Sequence, residues 1–389
     1  KTLTLEGKKA FDEAELLIGA KRMTDAVQRP GQMVLHEYRS DRIVEYIKAH
    51  PQYRTVAIAL SGDVGFYSGA RKLMDLLDGD VQVICGISSV VYFMAKIGLS
   101  WDDARIVSAH GRDCNLIALI RHNPKVFSIL GTEDGVARLA SSLVSYGMGD
   151  VTLYVGENLS YENEKIFHAK AAELTEYRGD ALSVVTACNE MAVPLPAVHG
   201  ICDEEFLRGK APMTKEEVRT VSLSKLRLQE DSVCYDVGAG TGSVSVEMAL
   251  RAWKGQVYAI EKKEDALALL KENRRKFATD NLEIVPGTAP EAMVELPVPT
   301  HAFIGGSSGN MNEIIRLLLD KNPEVRIVIN CITLETVTEA MNAIRNFSLT
   351  DVDIVQLSAA RSKSIGRYHM MMGENPIYII SCSGRGEEI

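Results

Sequence analysis

Asp236-Val237-Gly238-Ala239-Gly240-Thr241-Gly242-Ser243 is the stretch on which the fold turns. It follows the apolar run Val233-Cys234-Tyr235 and precedes a helical pattern over Ser245 to Ala252. Its glycines permit a tight turn and close backbone approach to a ligand, and a helix N-terminus adds donors. The next strand candidate, Gln256-Val257-Tyr258-Ala259-Ile260, ends in Glu261, whose carboxylate suits the two hydroxyls of a ribose. Two cofactors compete for such a site. A dinucleotide fingerprint needs a third glycine at position 243, where this chain has Ser243, and the glycines read G-x-G-x-G instead. Asp236 suits a cationic ligand better than a pyrophosphate. Both points favour S-adenosylmethionine over NAD. A glycine turn with no ligand is the plain alternative, set against strand, loop, helix and second acidic strand end occurring in order.

Downstream, Pro286-Gly287-Thr288-Ala289-Pro290-Glu291 falls on the adenine side of such a pocket, where an ordinary strand-to-helix turn explains any single residue equally well. Phe303-Ile304-Gly305-Gly306-Ser307-Ser308-Gly309-Asn310 carries glycines and serines after the fourth strand, which opens space for a bulky substrate.

The whole chain has 389 residues, 46% hydrophobic, 24% charged and 6% aromatic, with enough apolar material for more than one core. A net charge of -9 disfavours non-specific nucleic-acid binding. The most apolar window, Val81 to Ala95, is interrupted by Gln82, Gly86, Ser88 and Ser89, so no membrane span is expected, and no signal peptide is visible. Seven scattered cysteines and the absence of paired histidine spacings fit a reduced, cytoplasmic protein without a metal site. Strand candidates alternate with amphipathic stretches, which predicts an α/β architecture with largely parallel sheets. In the first half they are Val56–Leu60, Val81–Ile84, Lys125–Leu130 and Val151–Val155. The second half adds Leu282–Val285, His301–Ile304, Val325–Ile329 and Pro376–Ile380. Helical patterns are expected over Phe66 to Leu77 and Ser88 to Ile97. The cluster Pro194, Pro196, Gly200, Gly209 and Pro212 marks the main boundary.

Thr214-Lys215-Glu216-Glu217-Val218-Arg219, the 236–243 loop, Phe303-Ile304-Gly305-Gly306-Ser307 and Gly200-Ile201-Cys202-Asp203-Glu204-Glu205-Phe206 together resemble the C15-methylating, decarboxylating enzymes of cobalamin biosynthesis. Upstream, Leu60-Ser61-Gly62-Asp63-Val64-Gly65-Phe66-Tyr67-Ser68, Gly86-Ile87-Ser88-Ser89, Ser108-Ala109-His110-Gly111-Arg112 and Gly156-Glu157-Asn158-Leu159 resemble the C5-methylating tetrapyrrole methylases. In this order they resemble the family of bifunctional precorrin-6Y C5,15-methyltransferases (decarboxylating), over nearly the whole chain. That family opens with a strand and a G-x-G-P-G loop. Lys1-Thr2-Leu3-Thr4-Leu5 resembles the segment just after it, so the resemblance implies an N-terminal lobe without its first strand, through a trimmed terminus.

The resemblance implies a two-lobed tetrapyrrole methylase followed by a Rossmann-like class I S-adenosylmethionine-dependent methyltransferase. The lobes would cover 1–103 and 104–193, with a linker over 194–213 and the methyltransferase over 214–389. It implies cofactor contacts from Asp63, Gly65, Ser88 and Ser89 in the first half. In the second half they come from Thr214, Asp236, Gly238, Gly240, Thr241, Gly242, Glu261, Thr288, Ala289 and Gly305. From spacing alone Asp63 reads as a helix cap and Gly86 to Ser89 as a turn; the family reverses both. Leu130-Gly131-Thr132 lines the same pocket in this reading. Candidate catalytic residues are His110, Arg112, Lys215, Glu247 and His369, with surface roles as the plain alternative for His110 and Arg112. The substrate would be a precorrin or cobalt-precorrin, a polycarboxylate. Arg361, Lys363, Arg367 and His369, joined by Lys215 and Arg219, form the candidate anion site, against a solvated basic loop. A homo-oligomer is expected, without nucleic-acid or membrane partners. An RNA methyltransferase and a tetrapyrrole carrier with an inactive N-terminal half are the competing readings.

Overall fold

The computed structural model of the chain describes residues 2–109, 115–194 and 199–385. His110 and Arg112 lie outside the described residues. Two compact units emerge. The first comprises the described residues of Lys1–His110, Pro124–Val144 and Gly149–Glu190; the second, those of Gly111–Asn123, Ser145–Met148 and Met191–Ile389.

The first unit begins with α1 (Leu5–Glu13), β1 (Leu16–Gly19), α2 (Lys21–Val27), β2 (Met33–His36), α3 (Ser40–Ala49) and β3 (Val56–Ala59). Leu16, Leu17 and Ile18 are buried on both faces of β1, which pairs in parallel with β2 on one side and β3 on the other. Val81–Ile84, expected as a further strand, is irregular and largely exposed. Among the described residues it pairs with no neighbour, and a β-branched run without a ladder leaves its backbone groups to water. The helix expected over Phe66 to Leu77 contracts to α4 (Ala70–Met74), because Tyr67 takes a left-handed φ of 48° that interrupts the turn before Gly69. By contrast α5 (Ser89–Ile97) runs as expected. Ser88 caps it by accepting from Val91 N, and Gly98 closes it in the left-handed region.

There follow β4 (Arg105–Ser108), α6 (Leu116–His122), β5 (Lys125–Ile129), α7 (Gly135–Ser145), β6 (Thr152–Glu157), β7 (Lys165–Lys170) and β8 (Ser183–Cys188). The strands form one sheet, ordered β4-β5-β8-β6-β7. Only β4 and β5 are parallel, so this sheet departs from the parallel expectation. Phe93 and Met94 of α5 pack on it with Phe127 and Val184.

The second unit takes in α6. Asn115 caps that helix through Ala118 N and donates to Asn281 Oδ1 at 2.6 Å. The unit then runs α8 (Glu216–Leu226), β9 (Val233–Val237), α9 (Ser243–Arg251), β10 (Gln256–Glu261), α10 (Glu264–Lys276), β11 (Leu282–Pro286), β12 (His301–Ile304), α11 (Met311–Lys321), β13 (Arg326–Cys331), α12 (Leu334–Asn346), β14 (Thr350–Leu357), β15 (Ala360–Ile365), β16 (Tyr368–Gly373) and β17 (Ile377–Ser383). Its seven-stranded sheet is ordered β11-β10-β9-β12-β13-β17-β14. All pairings are parallel except those of β17, which lies antiparallel between β13 and β14. The apolar runs read from the sequence fill both faces. One face packs Ile327 and Ile329 under α11 and α12, and the other packs Val257, Phe303 and Val328 under α8 and α9. The strand order reverses between β9 and β12, which puts a crevice at their carboxyl ends.

Candidate active site

The loop after β9 is built from residues that only glycine replaces without strain. Gly238, Gly240 and Gly242 have φ of 78°, 57° and 79°. A Cβ on Gly240 would sit 2.7 Å from the Pro212 carbonyl oxygen, and one on Gly242 would collide with Leu270. The loop therefore packs tightly on both sides. It opens onto a cleft of about 630 Å³. Thr214, Lys215, Gly238, Gly240, Glu261, Thr288, Ala289 and Gly305 all line that cleft. Asp236, Thr241 and Gly242 lie behind its wall. Asp236 is buried with Ser245 Oγ donating to its Oδ2, and its other oxygen has no hydrogen-bond partner. Burial pushes its carboxyl up to about 7. The charge that the sequence aims at a cationic ligand is thus not presented to the cleft.

Glu261 is held by three backbone amides. Gly240 N donates to Oε2 at 2.9 Å, while Lys262 N and Lys263 N each donate to Oε1 at 2.8 Å. A carboxylate has about four acceptor sites. Three are occupied, and the open one on Oε2 fits a ribose hydroxyl. Apolar Ile260, Ala266 and Ala289 form the neighbouring wall, suited to a flat base. An adenosyl group therefore fits the donor set.

Glu247 does not belong to the catalytic set. Almost every residue of α9 is buried, so its one carboxylate needs an internal partner. Arg219 supplies it, with Nε 2.5 Å from Glu247 Oε1. Arg219 is itself fully buried. It also donates to Asp203 Oδ1 at 3.2 Å, to Thr214 O at 2.6 Å and to Ile201 O, with its guanidinium over the Phe206 ring. It cannot reach a substrate, which removes it from the anion site. What it does instead is fix Thr214, in the cleft wall, to α9. Nothing in the spacing Thr214-Lys215-Glu216-Glu217-Val218-Arg219 showed which way this arginine points.

The basic segment is a hairpin, β15 paired with β16. Arg361 is tied to Glu217 at 2.7 Å and lies 3.4 Å from Asp203 and 3.6 Å from Glu374. Lys363, Arg367 and His369 are exposed on it. His369 is four residues before Gly373, where the strand reaches the cleft, a separation of about 13 Å in extended chain. It lies outside the cleft lining. Residues the sequence did not single out complete the far wall: Asn330 near the end of β13 and Ile332 just after it, with Glu374 and Asn375 before β17.

In the first unit the loops assigned by resemblance are adjacent. A Cβ on Gly86 would lie 2.3 Å from Gly62 O, so the two backbones touch. Asp63 Oδ1 accepts from Gly65 N at 2.9 Å, which makes a local turn rather than a helix cap. Ser88 Oγ serves α5 and Ser89 begins that helix. Thr132 Oγ1 accepts from Arg138 at 2.7 Å.

A sheet of this order, with a glycine loop on its first strand and an acidic end on its second facing one cleft, defines a class I S-adenosylmethionine-dependent methyltransferase. Residues 205–383 match the precorrin methyltransferase domain, and residues 1–175 match the tetrapyrrole (corrin/porphyrin) methylases. A probable cobalt-precorrin-6B C(15)-methyltransferase (decarboxylating) of Pyrobaculum calidifontis is 44% identical over 188 residues, 48% of this chain and 96% of that protein. The cobalt-precorrin-6B C(15)-methyltransferase (decarboxylating) of Salmonella typhimurium is 41% identical over 46% of this chain and 94% of that protein. A solved precorrin-6y C5,15-methyltransferase from Geobacter metallireducens is 39% identical over 47% of this chain and 96% of that one, with a TM-score of 0.45. The chain belongs to the precorrin methyltransferase family, with a tetrapyrrole methylase domain preceding the precorrin methyltransferase domain. Its members are enzymes that take their methyl group from S-adenosylmethionine. No helix of the described residues is long and apolar enough to cross a membrane.

Proposed function

We propose that the second unit methylates C15 of a precorrin macrocycle and removes the C12 acetate carboxyl as CO2, and that the first unit methylates C5. The observation that carries the reading is the single cleft on which the glycine loop and Glu261 converge, in a domain sharing about four residues in ten with decarboxylating C15-methyltransferases. Both reactions belong to cobalamin biosynthesis in the cytoplasm, and the chain works as a homo-oligomer without nucleic acid or membrane.

S-adenosylmethionine supplies an activated methyl group on a sulfonium. The chain's task is therefore mainly positioning. Gly238 and Gly240 let the backbone approach, Glu261 Oε2 takes a ribose hydroxyl, and Thr288 and Ala289 line the base. Gly305 and Gly306 leave room for the macrocycle edge. A ring carbon gains the methyl and gives up a proton. In decarboxylation the acetate C–C bond breaks, CO2 departs, and the electron pair enters the conjugated ring, which is then protonated. Lys215 stands at the cleft, 3.9 Å from Asp203, and with Lys262 and Lys263, which line the same cleft, supplies positive charge for a substrate carboxylate. In the first unit Asp63, Gly65, Ser88 and Ser89 hold the second donor, and His110 and Arg112 act on the substrate.

Incubation with S-adenosylmethionine and a precorrin-6Y-type substrate, with and without cobalt, tests this. Two methyl groups gained and one CO2 lost are expected. A product without loss of CO2 removes the assignment of the second unit; a single added methyl together with loss of CO2 removes that of the first.

A further inference from the structure

Neither reaction of the second unit runs without a proton transfer. When the ring carbon gains its methyl, the C–S bond of the donor breaks with its electron pair on sulfur, and the ring carbon then releases a proton. When CO2 departs, the electron pair left in the macrocycle takes one proton up. The two steps balance, so one carboxylate in the cleft suffices for both.

Among the described residues that line the cleft there is no histidine, cysteine or tyrosine, and there are two carboxylates, Glu261 and Glu374. The lysines there are donors only and take no proton. Glu261 is occupied by three backbone amides beside the ribose position. Glu374 is held differently. Its backbone N donates to Ala359 O at 2.9 Å, which closes the base of the β15–β16 hairpin. Its carboxylate lies 3.6 Å from Arg361 Nε, and that nitrogen makes no hydrogen bond. The hydrogen bond of Arg361 goes instead to Glu217, at 2.7 Å, with Asp203 at 3.4 Å. The guanidinium thus steers Glu374 and leaves its acceptor sites open.

The place in the sheet fits the same task. β17 runs antiparallel and pairs Tyr378 with Cys331, so the residues before it arrive where the parallel strands end. Glu261 ends β10, four strands from β17, about 19 Å across the sheet. Glu374 therefore stands at the end of the cleft away from the ribose, where the acceptor enters. We infer that Glu374 is the proton carrier of the second unit: it takes the proton released by methylation and supplies the proton that decarboxylation takes up. The inference rests on the precorrin reading of the same cleft.

The full chain, given S-adenosylmethionine and a precorrin-6Y-type substrate, tests it. Glu374→Gln keeps the shape and removes the base. C15 methylation and CO2 release at saturating substrate should each fall roughly 100-fold or more, the scale of one acid–base group. The stoichiometry and affinity of S-adenosylhomocysteine, measured by calorimetry, should stay unchanged, which also shows that the cleft is folded. C5 methylation by the first unit should continue at the wild-type rate. Glu374→Asp, with a carboxylate on a shorter arm, should recover part of the loss. Four results overturn the inference: wild-type rates in Glu374→Gln, a loss confined to one of the two reactions, S-adenosylhomocysteine binding weakened in step with the rates, or a loss in Glu374→Asp as deep as in Glu374→Gln. Failure of the wild-type chain to release CO2 from any precorrin would instead defeat the underlying reading.

Discussion

The glycine loop of the second unit leaves β9, third of seven strands, whereas in the first unit the Gly62 loop follows β3, the outer strand of three, and its partner loop at Gly86 follows the irregular Val81–Ile84 run. Both regions place glycines beside a strand end, and both bring two backbone segments into contact. They differ in what stands behind the loop. Behind Gly238 to Gly242 lie a helix buried over all but its last two residues, a buried arginine with four acceptors and a carboxylate fixed by three amides. Behind Gly62 to Gly65 there is one Asx turn and a run, Val81–Ile84, with no ladder partner among the described residues. A glycine-rich turn becomes a rigid donor site only through the elements that hold it, and the second unit's loop is packed against Pro212 on one side and Leu270 on the other.

The largest expected effect breaks the better-held loop. Gly240→Asp puts a side chain into a left-handed position whose Cβ meets Pro212 O. Donor binding by the second unit should fall roughly 100-fold or more, as measured by S-adenosylhomocysteine titration. Next, Arg219→Met leaves Asp203 and Glu247 buried without their shared cation. It should destabilise the second unit by about 3–5 kcal/mol. Urea unfolding followed by Trp253 fluorescence, in a Trp101→Phe background, reads that unit alone. Third, Glu261→Gln removes the charge from the ribose acceptor and should weaken S-adenosylhomocysteine about tenfold.

A subtler difference concerns pH. Asp236 is held protonated up to about 7 by burial, against an ordinary value of 3.8. Between these values the unfolded chain releases a proton that the folded chain keeps, so stability falls as pH rises from about 4 to 7. Asp236→Asn should remove up to roughly 1.4 kcal/mol per pH unit of that slope, measured by urea unfolding at pH 5, 6 and 7. The smallest effect sharpens the contrast from the other side. Asp63→Ala deletes one partly exposed turn bond and should shift first-unit stability by no more than about 0.5 kcal/mol, read from Trp101 fluorescence.

Much of the second unit was legible because its strands are buried on both faces and so read as continuous β-branched runs. The cleft-lining glycines were legible for the same reason: strand, loop, helix and acidic strand end occur in order. Val81–Ile84 shows the limit of that signal, since a strand-forming run takes strand structure only beside a partner. The edge hairpin of β15 and β16 was hidden by its exposure, which leaves no alternating pattern to read. Glu247 and Arg219 were misplaced because charge type does not reveal side-chain direction; a carboxylate inside an otherwise apolar helix was the available sign of a buried ion pair. Glu374 was hidden for another reason: only the antiparallel direction of β17 brings the residues before it to the end of the sheet where α/β folds bind ligands.

The division of labour between the units is the central claim, and the product formed by the Gly240→Asp chain tests it most directly. The account predicts a macrocycle that has gained one methyl group, at C5 by NMR with a labelled donor, and has kept its acetate carboxyl. A product that has lost CO2, or one that carries the new methyl at C15, would contradict it.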